Sequence, residues 1–563
     1  MEKEYVVIVH KGVDLKEFDT ELAAATGDSP IPNRAVQVAD PREGSNRMTH
    51  WMLTDEEAVT LQSDQRVMSV EIPPHLRDDI EIALDAKSRR GGRFKRGGAP
   101  SSNNVNWGLR RSNARTNVYF GGEDVNVNLE DDYVYALDGG GVDIVFQDTG
   151  VEANHPEWLD KDGNSRLQQI DWYAESGISG SQHSAHYTDT NGHGTHVAAI
   201  AAGKTYGWAK GANIYSQKIS DFGGSGGVPL TTAFDMIRLW HSSKTNGRPT
   251  VVNMSWGTRH TTSSNPSGGF HRGSSWSASG KSDSYMYSTY GVVSKYGNGN
   301  REVPVQNTAY DVEVEEMIDA GIHVCISAGN NYYKSDVPSG QDYYNYVTIN
   351  GSNYYYHRPS SPYNSRAYFV GNISSAPRLS GSSTESAYET STRGPAINMW
   401  APGTDIMSAA SNTVASDNTT FSHPDDANFK VMSKTGTSQS APQVAGVLAL
   451  HLQSQPYLSP EKLQRKVIAD AIEDIIETTS VDKYVTTTGS LISGPNRFLR
   501  SRYGVESPFS IVANESGSGS GSGSDVESGN GEVVTPSPEV EHNYGSQLGL
   551  TFKSQSGDEL VLQ

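Results

Sequence analysis

The sequence predicts an α/β protein, a mostly parallel sheet with helices on both faces, preceded by a small α+β unit. Between residues 103 and 505, short β-branched runs ("VDIVF", "NIYSQKI", "TVVNMS", "GIHVCISAG") alternate with runs of helical spacing ("GTHVAAIAAG", "TTAFDMIRLW", "VEVEEMIDA", "APQVAGVLALHLQ"). That alternation lays helices over a parallel sheet. The first residues follow a separate pattern, and 563 residues are enough for a large domain with additions.

Near the start, "YVVIVHKG" predicts a strand, and "LTDEEAVTLQSDQ" (residues 53–65) a helix opened by an acidic first turn. "RVMSVEIPP" predicts a second strand closed by two prolines, which ends a unit spanning residues 1–86. Residues 87–102 carry "KSRRGGRFKRGGAPSS", a basic, Gly-rich linker in an otherwise acidic chain. It reads equally as a solvated connector and as a protease-sensitive junction, where processing is expected. Within the main domain, residues 258–307 and the Tyr-rich 331–366 interrupt the alternation and predict long surface insertions. "NESGSGSGSGSDVESGNG" marks a flexible linker over residues 506–540. The tail, residues 541–563, is long enough for a hairpin but not for a core.

The net charge of −20 argues against a nucleic-acid partner. Hydrophobic residues make up 35%, with 57 glycines and 28 tyrosines, a loop-rich composition. A single cysteine, Cys325, excludes an internal disulfide, a cysteine-based zinc site and an iron–sulfur cluster. Its apolar setting, "GIHVCISAGN", predicts buried core. No run approaches the roughly 18 apolar residues of a membrane span. The acidic "MEKEYVVIVHKG" lacks the pattern of a secretory signal. The expectation is a chain without membrane contact, in the cytoplasm or carried by a larger assembly.

Four segments offer chemistry. "VDIVFQDTGVEANHPEW" delivers one carboxylate, Asp148, to the tip of an apolar strand. Asp-Thr-Gly also marks aspartic proteases, but those need a second carboxylate to share the proton, and no second copy exists here. In "NGHGTHVAAIAAG", His193 sits between two glycines at a helix start, placed to act as a general base. His196, three residues on, has no third ligand or Glu of a metal motif nearby and reads as structural. In "KTGTSQSAPQVAGVLALHL", Ser438 opens a helix whose first turn is expected to hold Pro442. A serine there fits an N-cap, and it fits a nucleophile facing backbone N–H groups. "CISAGNN" ends a buried strand with Asn330, a turn residue or an oxyanion donor at the sheet edge where sites assemble.

Asp148, His193 and Ser438 follow the chain order of subtilisin. The sequence resembles the subtilisin family of serine proteases, and in detail its proteinase K branch. The matching segments are "DTGVEANHPEW", "GHGTHVAAIAAGKTYGWAKGANIY", "VVNMSWG", "ISAGNN", "WAPGTDIMSA" and "TGTSQSAPQVAGV", with "NWGLRR" and "GPNRFLRSRYG" at the two ends. The resemblance implies a subtilisin-like fold and a catalytic triad of Asp148, His193 and Ser438, with Asn330 in the oxyanion hole. It also implies a substrate strand held between Gly223, Gly224, Ser225 and Gly226 on one side and Ser255, Trp256 and Gly257 on the other. Trp256 stands where the family more often has a small aliphatic, and fits either a narrowed pocket or packing beneath the loop. The N-terminal unit resembles the family's propeptide, a folding assistant and inhibitor.

No cofactor is required by this resemblance. The short turn "AAGKTYGWAKGA" lacks the insertion that carries one family calcium site, and Asn398 stands where the other has a carboxylate. Calcium dependence is therefore not expected. Gln439 replaces a methionine beside the nucleophile, which brings a polar group there. Two functions fit: a serine endopeptidase made as a self-processed zymogen, and a protease-derived structural or adhesion module. The expected partners are polypeptide substrates, the chain's own N-terminal unit and a larger assembly such as a virus particle.

Overall fold

One nine-stranded sheet collects the apolar runs. Its order is Ile472–Glu473, Arg497–Phe498, Met399–Pro402, Tyr368–Ile373, His323–Ser327, Thr250–Met254, Asp143–Asp148, Asn213–Lys218 and Leu167–Gln168. Every pairing is parallel except the first, at the edge. The computed structural model describes residues 2–25, 29–42, 44–77, 81–84, 106–115, 135–220, 227–375, 384–417, 419–477, 491–503, 551–553 and 559–561. The α/β class read from the alternation is the class found.

Both faces of the sheet are covered, so its central strands are buried at every position and mostly apolar rather than alternating with solvent-facing residues. Ile144, Phe146 and Cys325 face the helices His193–Ala202 and Thr437–Ser454. Val145, Val324 and Ile326 face Leu230–Ser243 and Thr308–Asp319. Cys325 is wholly buried, and burial pushes its thiol well above the usual range, as its core setting predicts. Three adjacent strands end at one edge and deliver Asp148, Ser255 and the Ala328–Asn330 turn to it.

The N-terminal unit is richer than the sequence suggests. Its four-stranded sheet runs Gln37–Asp40, Met48–Leu53, Lys3–Val9 and Val67–Glu71, with helices Leu15–Ala24 and Asp55–Gln62. The second helix starts with a Thr54–Glu57 capping box, and its acidic first turn suits the positive helix end. Lys3–Val9 alternates between two cores: Val7 and Val9 pack with Phe18, Leu22 and Trp51, whereas Val6, Ile8 and Met48 pack on Ala309 and Val312. A period of two thus docks the sheet onto the Thr308–Asp319 helix. Charges complete the joint. Arg42, wholly buried, bonds Asp235 at 2.8 Å and also Glu313, while Lys11 reaches Asp319 at 2.7 Å.

The two insertions are not independent surface loops. Gly268–His271 pairs with both Ser274–Ser277 and Tyr346–Ile349, and the latter pairs with Ser352–Tyr354. Met286, Val303, Tyr333, Val347 and Tyr356 bury a core between them, and Trp276 stacks on Tyr290 at 4.3 Å. The tail forms the expected hairpin, Thr551–Lys553 against Glu559–Val561. Among the described residues, no helix is long and apolar enough to cross a membrane.

Asp311 ties the Thr308–Asp319 helix to the end of the second insertion. It is buried and accepts from Ser361 Oγ (2.7 Å), Tyr363 N (2.9 Å) and Gln306 Nε2 (3.0 Å). Burial outweighs these bonds and pushes its carboxyl up to about 7. The folded chain therefore holds a proton that the unfolded chain gives up near its ordinary value of 3.8. Stability from this group is complete below that value and falls as pH rises towards 7, by at most about 1.4 kcal/mol per pH unit. Denaturant titrations across this window are expected to show that slope in the wild type and to lose it in Asp311→Asn.

Candidate active site

Asp148 ends its strand buried. Its Oδ1 accepts from Thr149 N (2.8 Å) and from His193 Nδ1 (2.6 Å), and Oδ2 makes no hydrogen bond among the described residues. With the carboxylate accepting, Nδ1 carries the proton and Nε2 presents its lone pair. His193 is the first residue of its helix. Gly192 precedes it at φ 77°, and Gly194 donates its N–H to Thr149 Oγ1 at 2.9 Å. A Cβ on Gly194 would lie 2.1 Å from Gly150 O, so only glycine lets the helix approach this closely.

Ser438 is the second residue of the Thr437–Ser454 helix. Its Oγ donates to Ser255 O (3.0 Å), and Ser255 Oγ donates back to Ser438 O (3.0 Å). Pro442 explains the second bond. It lies in the second turn, not the first as expected, and has no N–H for the carbonyl four residues back. Ser255 supplies that donor. Next to Ser438, Gln439 Nε2 lies 3.5 Å from His196 Nδ1, one turn on from His193, so the two helix starts meet here. The Ser438 hydroxyl is not paired with His193 in this structure, and His193 Nε2 makes no hydrogen bond among the described residues. Such contacts commonly tighten only with substrate in place.

Asn330 follows the His323–Ser327 strand. Its Oδ1 accepts from Thr437 N (3.0 Å), and Gly329 N donates to Thr437 Oγ1 (3.1 Å). These bonds lock the Ala328–Asn330 turn to the residue before Ser438 and fix which end of the amide donates. His196 is structural, as its helical position suggests. It is buried with Nε2 on Met432 O at 3.0 Å, and burial holds it well below the usual histidine range.

Three supporting residues escape a reading of the sequence. Asp189 is buried and accepts from Thr149 Oγ1 (2.9 Å), Gly192 N (2.7 Å), Thr195 N (2.9 Å) and Thr195 Oγ1 (2.6 Å). It binds the loop of Asp148 to the start of the His193 helix. Lys434 Nζ donates to Gly192 O (3.0 Å), and burial lowers its pKa against the pull of Asp189 and Asp148. Lys218 Nζ donates to Thr149 O and, at 3.1 Å, to Thr188 O.

Ser255, Trp256 and Gly257 are buried, and Trp256 and Gly257 are already paired. Glu81–Leu84 lies antiparallel to this edge, with Leu84 opposite Trp256, Ala83 opposite Gly257, Ile82 opposite Thr258 and Glu81 opposite Arg259. The Trp256 side chain packs beneath this edge, against Phe234 (6.2 Å) and Tyr310 (6.0 Å), which settles its role as core. Gly223, Gly224, Ser225 and Gly226 lie outside the described residues. Asn398 bridges two backbone groups: Nδ2 donates to Ala367 O (2.6 Å), and Oδ1 accepts from Phe369 N (2.9 Å).

Removing the Asp189 carboxylate strands four donors around the Asp148–His193 pair. Asp189→Ala is expected to lower unfolding free energy by about 1–3 kcal/mol. It should also abolish the downfield proton resonance of the His193 Nδ1–H bond, which Asp189→Asn should partly keep.

The profile of the subtilase family matches residues 139–506. The chain is 26% identical over 395 residues to the subtilisin-like serine protease Cur l 4.0101 of Cochliobolus lunatus, covering 68% of this chain and 58% of that protein. It is 26% identical over 446 residues to alkaline serine exoprotease A of Vibrio alginolyticus, covering 78% and 56%. The chain thus spans little more than half the length of these relatives. A solved cold-adapted subtilisin-like serine proteinase superposes with a TM-score of 0.43 at 23% identity, over 71% of this chain and 98% of that one. With the family profile matching well over half of its residues, the chain belongs to the subtilase family.

Proposed function

We propose that the protein is a serine endopeptidase made as a self-processed zymogen. The observation that carries this reading is the buried Asp148–His193 bond at the sheet edge where Ser438 and Asn330 also converge. In the proposed cycle, His193 Nε2 takes the Ser438 Oγ proton as Oγ turns from Ser255 O to attack the peptide carbonyl. Asp148 holds the Nδ1 proton and stabilises the imidazolium that forms. Asn330 Nδ2 and Ser438 N donate to the oxyanion. Losing such an Asn costs roughly a hundred- to a thousandfold in kcat, a figure measured on subtilisin itself. The imidazolium then protonates the leaving amine, and water resolves the acyl-enzyme by the same groups.

The N-terminal unit would act as propeptide and inhibitor. Its Glu81–Leu84 strand fills the edge that an extended substrate needs, adding a strand by backbone pairing. The register runs towards Ser255 and the nucleophile, so the processing cut falls just beyond Leu84, at the start of the linker. Calcium has no place in this scheme. The Asn398 amide already donates to Ala367 O, the kind of carbonyl a cation would need. The one three-carboxylate group among the described residues, Asp235, Glu313 and Glu316, takes Arg42 and Arg238 instead.

Intact mass of purified wild type beside Ser438→Ala tests the scheme. Wild type is expected to lose the chain up to a point shortly after Leu84 while the mutant stays whole; processing in the pure mutant overturns self-cleavage. Arg42→Ala tests the inhibitory joint. It leaves buried carboxylates short of a cation, at a cost of about 3–5 kcal/mol. The cleaved unit should co-elute with the wild-type enzyme and separate from the variant.

A further inference from the structure

We propose that the pocket beside the nucleophile selects substrates with an acidic residue immediately before the scissile bond. This rests on the endopeptidase reading above and adds its specificity. The pocket opens between Gly257 on one wall and Ala328–Gly329 on the other. Both walls connect to the nucleophile's own turn: Gly329 N bonds Thr437 Oγ1, and Ser255, two residues before Gly257, accepts from Ser438 Oγ. A Cβ on Gly257 would lie 3.0 Å from Ser360 Oγ, so glycine keeps that wall open.

Three cations, Arg259, Lys334 and Arg358, line this pocket, and among the described residues no carboxylate does. Arg259 is paired with Glu302 at 3.1 Å, and Lys334 with Asp342 at 2.8 Å and Asp336 at 3.2 Å. Asp342 is shared with Arg272. Arg358 differs. Its guanidinium lies over Tyr355 at 3.8 Å and near Tyr343 at 4.8 Å, and among the described residues it bonds only neutral acceptors, Tyr343 O (3.3 Å) and Gln306 Oε1 (3.4 Å). Aromatic rings hold the cation in place without neutralising it. A planar guanidinium of this kind matches a carboxylate through two parallel hydrogen bonds.

The strand register brings a substrate side chain to this pocket. Residues directly opposed across antiparallel strands share a face, and so do positions two apart. Gly257 faces Ser360 in the pocket wall, and Ser255, two positions before it, accepts from Ser438 Oγ. An extended substrate laid along this edge would place the residue opposite Ser255 beside Ser438, with its side chain on the pocket face.

The test uses the full chain after self-processing, with a fluorophosphonate to count reactive Ser438, on peptides differing only in the residue before the cut: Glu, Asp, Gln, Leu or Lys. Wild type is expected to favour Glu over Gln by tenfold or more in kcat/KM, and Arg358→Gln to bring that ratio towards one. Labelled enzyme that prefers Leu or Lys, or an Arg358→Gln enzyme with an unchanged Glu-to-Gln ratio, overturns the pocket assignment alone. A chain that neither labels nor cleaves overturns the endopeptidase reading and the specificity with it.

Discussion

The rest of the site depends on one buried hydrogen bond, Asp148 Oδ1 to His193 Nδ1 at 2.6 Å, made where neither side chain meets water. A carboxylate so placed is costly unless its charge is met. The fold meets it with the Thr149 N–H, the histidine and the field of Lys434. In return the imidazole is fixed in one tautomer and one direction. Holding that pair requires a strand end and a helix start in close approach, which explains Gly194, the Asp189 clamp and the two buried lysines on carbonyls of the same loops.

The parallel sheet makes this approach possible. Asp148, Ser255 and the Asn330 turn come from three neighbouring strands that all finish at one edge, so groups far apart in sequence meet without long detours. The long helix completes the site from one face, and Pro442 inside it is part of the arrangement. By withholding an N–H it frees the Ser438 carbonyl for Ser255, coupling the Ser438 turn to the edge on which the N-terminal strand lies.

Much of the site was legible because each of its four residues sits in a short self-describing segment: a strand tip, a glycine-flanked histidine, a strand-ending Ala-Gly-Asn and a helix start. The supports were not, because Asp189, Lys218 and Lys434 act across distant loops and a lone charge reads as surface. Arg42 was hidden for the same reason, since its partners Asp235 and Glu313 are nearly two hundred residues or more away. The insertions misled differently. Their Tyr-rich, irregular runs lack a clean period, and only the pairing of Gly268–His271 with Tyr346–Ile349 shows that they fold together. The helix Leu15–Ala24 escaped notice because only Phe18 and Leu22 on it are buried, too thin a stripe to stand out.

The most direct measurement is the mapped site of covalent modification by a fluorophosphonate in the full chain and in His193→Ala. A single adduct on Ser438, formed readily in the wild type and lost without His193, is the expected result. An adduct that forms equally well without the histidine, or none at Ser438 in processed protein, would contradict a nucleophile activated through the Asp148–His193 pair.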